Sequence, residues 1–382
     1  MNREIKKFSP RIIRFVLPYV LICLFTVVVF YKCGEIFWFN KTFDAQVKER
    51  RNFIHGAAYS NMPHWFRLYA VEVISPKILV LGASRVLQFR SVFFKDSIPV
   101  YSTGGVFTRL QQLRAFLESI PEENLPRVII LGVDQWWFNA RYDSSVKIKN
   151  DLIYNQYSWA DNWNGMENWQ QFYYDWLQGK IKWKKLWPEN HSGTEWFGIS
   201  ARMGERGFRR DGSRSYGEYL NDSINKLVKI QNSLDEAMDN AGLFLWSNSI
   251  DKNAIDELRV LLQFCKKHKI TVTAFLPSIH GRLWNEMKKH SEDFPVFYHL
   301  YETIYPVFRE NSFRIFDFSH PETFGSSDDE MIDAIHGGEK STLKLYLRLL
   351  RKDPYLNQYS DSTYLKTKLD STKGNFDVFG NY

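Results

Sequence analysis

Three cysteines among 382 residues, Cys23, Cys33 and Cys265, are too few for a disulfide framework and leave at most one pairing, Cys33 with Cys265. Zinc-ligand spacing is missing, as is any other DNA- or RNA-binding signature. The excess of +7, from 50 Lys+Arg against 43 Asp+Glu, is too weak to argue for nucleic acid by itself. No internal repeat is present. Wholesale disorder is excluded, because 44% hydrophobic and 24% charged residues suffice to bury a sizeable core. What the chain has in excess is aromatic side chains, 16% of the total with 13 Trp. Its length exceeds one typical domain, but an α/β domain with a large insertion absorbs it.

Only one apolar run is long enough to suggest a membrane span. Phe15 to Tyr31 carries no charge over 17 residues, about 25 Å of helix at 1.5 Å per residue, and Ile12, Ile13 and Phe37 can extend it. Pro18 is expected in the first turn, where a missing N–H costs little. Arg3, Lys6, Lys7, Arg11 and Arg14 precede the span and favour a cytoplasmic N-terminus, although Lys32, Lys41, Lys48, Arg50 and Arg51 follow it. No small-x-small cleavage site and no lipobox follows, which points to an uncleaved anchor over 15–33 behind a cytoplasmic tail at 1–14. Residues 34–382 are then expected outside the cytoplasmic membrane, in a periplasmic or extracellular position, beginning with a linker at 34–75.

Apolar β-rich runs punctuate the remainder at Ile78–Gly82, Ile98–Tyr101, Val128–Gly132, Thr271–Leu276 and Phe313–Phe318. Near-continuous apolar strands alternating with helical segments predict an α/β domain, its parallel sheet covered on both faces, over 76–140 and 251–350. Thr108-x-x-Gln111 reads as a capping box opening a helix with Leu110, Leu113, Phe116, Leu117 and Ile120 on one face. Ala254, Ile255, Leu258, Leu261, Leu262 and Cys265 form another stripe, in which Cys265 is a core residue. A last helix is expected at about 340–350. Between the third and fourth strands, 141–250 is an insertion holding Trp159, Trp163, Trp169, Trp176, Trp183, Trp187 and Trp196. The stretch Lys180–Arg214 carries nine Lys/Arg against four Asp/Glu. The tryptophans suit an insertion core, a glycan-facing cleft or a membrane interface. The basic stretch suits a solvated face, an anionic polymer or lipid headgroups. The polar tail, 351–382, is expected to be a loose peripheral segment.

In open α/β sheets ligands gather at the carboxyl ends of the strands. The first strand ends in Gly82-Ala83-Ser84-Arg85, where Ser84 is either a helix N-cap or a nucleophile beside free backbone N–H groups. The second ends at Gly104-Gly105, where the backbone can approach a reacting carbonyl. The third ends in Asp134-Gln135-Trp136-Trp137, the two tryptophans being candidates to line a pocket. Arg85 is a candidate for steering an anionic substrate, or a solvated arginine. His280 follows the fourth strand as a candidate substrate contact, and His320 is expected in a loop. Near the end, Asp333 and His336 are three apart. In a helical turn that spacing lets the carboxylate orient the imidazole.

A Gly-x-Ser after the first strand, a Gly after the second, Gly-x-(Asn/Asp) after the third and Asp-x-x-His near the end resemble the SGNH/GDSL hydrolase superfamily. With an N-terminal anchor the chain looks most like its membrane-tethered branch, which includes DltD-like and envelope-polymer O-acetyltransferase-like proteins. The resemblance covers about 76–140 and 251–350. It implies a three-layer α/β/α, flavodoxin-like domain in which Ser84 is the nucleophile, His336 the general base and Asp333 its orienting carboxylate. Gly104 or Gly105 would be the backbone oxyanion donor. It further implies acyl transfer or hydrolysis, most simply of acetyl, on an envelope polysaccharide or related polymer, with no metal or organic cofactor and with a multi-span acyltransferase partner. Two residues depart from the family pattern. Ala83 replaces the usual Asp, and Asp134 replaces an Asn that would donate to the oxyanion, whereas an ionised Asp only accepts. Those departures suit a slow, dedicated acyltransferase, or a non-catalytic glycan-binding scaffold.

Overall fold

A computed structural model of the chain describes residues 2–36, 42–48, 52–59, 64–145, 163, 166–187 and 194–380. Phe37, Lys41, Arg50, Arg51 and Trp159 lie outside the described residues, as do the side chains of Arg3, Lys6, Lys7, Arg11, Ile12 and Lys48. The fold is mixed α/β and divides into two compact units, Met1–Pro63 with Tyr157–Arg209 and Ser215–Gly217, and the rest of the chain.

In the first unit, helix α1 (Asn2–Cys33) contains a stretch, Ile13–Cys33, long and apolar enough to cross a membrane. Its first turn is far upstream of Pro18, so that proline sits in the helix interior, where it deletes one ladder hydrogen bond. The expected tail at 1–14 is largely part of the same helix. The expected linker at 34–75 is likewise built into structure. Glu35, 1% exposed, accepts from the backbone N–H groups of Ala58 (2.7 Å), Tyr59 (2.6 Å) and Ile199 (2.8 Å). Strand β1 (Asn52–His55) runs parallel to β5 (Thr194–Phe197) and antiparallel to β6 (Gly207–Arg209) in a sheet of order β5-β1-β6-β7, where β7 is Arg214–Ser215. Helix α4 (Trp169–Leu177) packs on α1. Residues 157–209 therefore group with the anchor helix, and most of 210–250 groups with the second unit, so the expected insertion is split.

The second unit opens with α2 (His64–Ile74). Its parallel sheet contains β2 (Ile78–Leu81), β3 (Val100–Ser102), β4 (Val128–Gly132), β8 (Thr271–Leu276) and β9 (Arg314–Asp317), in the order β3-β2-β4-β8-β9. Alternation explains the continuous apolar strands. Leu79, Leu81, Ile129, Leu131, Val272 and Ala274 face one core with α3 (Leu110–Ser119), α6 (Lys252–Lys267) and α8 (Leu300–Glu310). Ile78, Val80, Val128, Ile130 and Phe275 face the other with α9 (Glu339–Lys352). Every second side chain thus meets helices on one face and its neighbours meet helices on the other. Helices α5 (Ser223–Met238) and α7 (Gly281–Lys288) add Ile230, Leu234, Leu283 and Met287 to the first core.

Two expectations need correction here, at the α3 cap and in the tail. The cap at α3 uses Gln112, not Gln111: its Oε1 accepts from Thr108 N (2.8 Å) and Oγ1 (3.1 Å), because the helix starts two residues after Thr108. The tail is not loose. It forms α10 (Ser362–Ser371), buries Leu365 and Tyr359, and places Phe379 on Phe93. Arg90 and Glu339 form a buried ion pair at 2.6 Å, and Glu339 also accepts from the N–H groups of Val378 and Phe379. Cys33 and Cys265 are free thiols, each buried in a core.

Burial pushes the His55 imidazole down to about 4. An unfolded histidine titrates near ~6.5, so protonation favours unfolding between these values: the contribution is full above about pH 6.5 and is lost as pH falls toward 4. Urea unfolding in detergent should therefore show stability falling over that window by up to ~1.4 kcal/mol per pH unit, and His55→Gln should flatten the slope. An unchanged slope would assign the acid sensitivity elsewhere.

Candidate functional site

Ser84 opens a 3-10 turn, Ser84–Val86, directly after β2, rather than a long helix. Two glycines, Gly82 and Gly132, make this turn fit, because a Cβ on either would collide with Val86 Cγ1. A Cβ on Gly132 would sit 2.4 Å from Val86 Cγ1, so the absence of a side chain there lets Val86 pack down on the strand ends and fixes Ser84 above them. The N-cap of the turn is Ala83, with no side-chain cap, so Ser84 does not serve as the cap. Its Oγ instead lies 2.7 Å from His336 Nε2.

His336 Nδ1 lies 2.8 Å from Asp333 Oδ2 and 2.9 Å from Oδ1. No helix creates the Asp-x-x-His approach. The Asp333 carboxylate accepts from the backbone N–H groups of Ile335 (3.0 Å) and His336 (2.9 Å), a side-chain-closed turn that folds the histidine back over its own acid. Hydrogen bonds from Ile332 N to His336 O and from His280 N to Ala334 O pin both sides of the turn. Glu330, paired with Lys344 at 2.6 Å, pins its approach. Burial opposes the Asp333 carboxylate, but His336 and the two backbone donors outweigh it and hold the carboxyl well below its usual range. An ionised Asp333 accepting from Nδ1–H fixes the tautomer in which Nε2, facing Ser84 Oγ, is the acceptor. His336 retains 19% side-chain exposure and Asp333 11%, so the site is reachable from the surface.

Gly105 stands beside the serine. A Cβ there would lie 3.9 Å from Ser84 Cα, and its φ of +80° suits glycine. Among the described residues, the N–H groups of Ser84 and Gly105 make no hydrogen bond, which leaves both able to meet an oxyanion. Gly104 is buried. A Cβ there would press on Val86 and Leu87, so its role is close packing.

The other candidates take structural places. Arg85 is buried, and its guanidinium donates to Asp134 Oδ1 (3.1 Å), Gln135 Oε1 (2.6 Å) and the carbonyls of Pro277 and Ser278, with Trp136 beneath it at 4.9 Å. It is not available to steer a substrate. Asp134, fully buried, also accepts from Ala83 N at 3.2 Å. Burial pushes its carboxyl up while Arg85 and Ala83 oppose this. It acts as an acceptor holding the serine turn, not as an oxyanion donor. Trp136 and Trp137 are 3% and 6% exposed and belong to the core, so neither lines an open pocket. His280 is buried, caps α7 by accepting from Arg282 N at 3.2 Å, and is pushed down by burial. It supports the histidine turn through its backbone. His320 lies in a loop before a 3-10 turn.

Sequence reasoning missed Gln135, whose Nε2 donates to Pro277 O (3.0 Å) and Ser319 Oγ (3.2 Å), tying the ends of three strands. Its position next to Asp134 was the only available signal. Lys226, whose Nζ reaches Asp328 O at 3.1 Å and which feels the Asp333 charge, was also missed. A surface groove of about 400 Å³ between α9 and α10 contains no triad member.

Comparison with known proteins finds no matching family model and no matching curated protein.

Two outcomes follow from the geometry. If the Ser84–His336 pair turns over an ester, Asp333→Asn should keep the fold but remove the charge that fixes the His336 tautomer, lowering kcat by ~10⁴, as measured by steady-state kinetics. Asp134→Asn should strand the buried Arg85 charge. Denaturant titration should show a loss of about 3 kcal/mol with no gain in rate.

Proposed function

We propose that the chain is a membrane-anchored serine acyltransferase or esterase with an SGNH-type, flavodoxin-like domain. The observation that carries this reading is the Ser84–His336–Asp333 relay, with Oγ to Nε2 at 2.7 Å and Nδ1 to Oδ2 at 2.8 Å. The strand order β3-β2-β4-β8-β9 supports the fold assignment, because it places the serine turn and the histidine turn at the same carboxyl edge. In the reaction, Ser84 Oγ gives its proton to His336 Nε2 and attacks the acyl carbonyl, and the resulting oxyanion meets the N–H groups of Ser84 and Gly105. Collapse expels the donor's alkoxide or thiolate, protonated by His336, and leaves the acyl group on Ser84. A sugar hydroxyl or water then gives its proton to His336 and takes the acyl group, and His336 returns that proton to the departing Ser84 Oγ.

The anchor supports an outward-facing location, with the N-terminus cytoplasmic and the catalytic domain periplasmic or extracellular. The acceptor in this reading is an envelope polysaccharide or related polymer, the acyl group is acetyl, and a multi-span membrane acyltransferase supplies the donor. A second reading, a non-catalytic glycan-binding scaffold, is favoured by one feature: Asp134 gives no side-chain oxyanion donor. Purified full-length chain assayed on p-nitrophenyl acetate separates the two. Under the enzyme reading Ser84→Ala lowers kcat/KM at least ~10³-fold while thermal unfolding is unchanged. Equal rates for Ser84→Ala and wild type would support the scaffold.

A further inference from the structure

Helix α4 lies against α1 inside the stretch that is apolar enough to cross a bilayer. Trp169 meets Tyr19 edge-on at 6.4 Å, and Trp176 stacks on Phe25 at 5.7 Å. Phe172 meets Phe30 at 5.2 Å. Tyr173 OH donates to Ile22 O at 3.0 Å and accepts from Thr26 Oγ1 at 2.9 Å. All five partners on α1 lie within Ile13–Cys33. That stretch is about 31 Å long at 1.5 Å per residue, close to the hydrocarbon thickness of a bilayer, and the contact zone from Tyr19 to Phe30 occupies about 16 Å of it. If α1 spans the membrane, no geometry that preserves these contacts leaves α4 in water.

The outer face of α4 fits that environment. Leu177 is 86% exposed, Tyr174 54% and Trp176 38%, and Trp187 just beyond is 47% exposed. The one carboxylate on the helix, Asp175, is offset by Lys180 Nζ at 3.1 Å and accepts from Gln171 and from Tyr59 OH. Its backbone is helical over Trp169–Leu177 and Trp183–Leu186, and between them the N–H groups of Gln178, Gly179 and Lys180 donate to the carbonyls of Tyr174, Trp176 and Asp175. Both ends return to the same side: Asn168 Nδ2 donates to Tyr59 O at 2.8 Å, and β5 pairs with β1. The exposed Lys182 and Lys184 flank the half-buried Trp183, whose ring lies 6.0 Å from that of Phe25, so their long side chains must snorkel to reach a headgroup layer.

We infer that Trp169–Trp187 is a second membrane element, a re-entrant amphipathic segment seated in the leaflet on the side of the β1 sheet, with Leu177 and Trp176 among acyl chains and Lys182 and Lys184 at anionic headgroups. This rests on the anchored reading of α1, and the experiment separates the two. Full-length chain carrying Cys23→Ala is labelled with a nitroxide at Leu177→Cys, at Val20→Cys in the span, or at the exposed Ser371→Cys. Each is reconstituted alone in phosphatidylcholine–phosphatidylglycerol vesicles, and collision with oxygen is compared with collision with a water-soluble nickel complex. The Leu177 label should match Val20, with an oxygen-to-nickel ratio several-fold above Ser371. A Leu177 label that tracks Ser371 while Val20 reads as lipid overturns the inference and leaves the anchor standing. If Leu177 becomes shielded from nickel only in native membranes, the face belongs to a partner protein's helix, and the lipid assignment is equally overturned. Should Val20 also track Ser371, both the anchor and the inference fall.

Discussion

A guanidinium buried at the carboxyl edge of a parallel sheet must be neutralised by partners fixed to more than one strand, and Arg85 is held in that way. Its partners follow β4, through Asp134 and Gln135, and β8, through the carbonyls of Pro277 and Ser278. Asp134 in turn holds the N–H of Ala83, immediately before the serine. Breaking such a buried pair typically costs about 3–5 kcal/mol, far more than an exposed one contributes. The position of Ser84 therefore depends on a charge pair that is itself buried away from the surface. This gives the carboxylate at Asp134 a physical role, since a carboxylate is the group a buried arginine requires.

The histidine side of the site is built by different means. No long element carries His336. A carboxylate-closed turn, two flanking backbone hydrogen bonds and the Glu330–Lys344 pair fix it. Ser84 and His336 thus come from opposite ends of the chain, and their 2.7 Å separation depends on the sheet between them. Stability and chemistry are linked at this edge: changes that loosen the strand ends should act on rate before they act on global unfolding.

Much of this was legible in the sequence. Strands buried on both faces read as continuous apolar runs, and those at Val128–Gly132 and Thr271–Leu276 matched the structure to the residue. Ser84, Asp333 and His336 stood out because reactive side chains at strand ends have few other reasons to coincide. Other features were not legible for reasons that are physical. A buried arginine and a surface arginine look alike in sequence, since burial depends on partners such as Gln135 and the Pro277 carbonyl. Trp136 and Trp137 follow a strand as pocket residues would, yet the adjoining segment turns them into the core. The three-residue separation of Asp333 and His336 suits a helix and a carboxylate-closed turn equally. The role of Trp169–Trp187 depends on long-range packing against α1, which no local period reports. The tail looked polar because its few anchors, Leu365, Val378 and Phe379, are sparse.

The central claim is that the Ser84 hydroxyl is activated by His336. Intact-mass analysis of the full-length chain after incubation with a serine-directed fluorophosphonate tests it most directly, because labelling requires an activated hydroxyl and no knowledge of the acceptor. The account predicts one adduct per chain, mapped to Ser84 and lost in Ser84→Ala and His336→Ala. A folded wild-type chain that forms no adduct, or one whose adduct survives both substitutions, would contradict it.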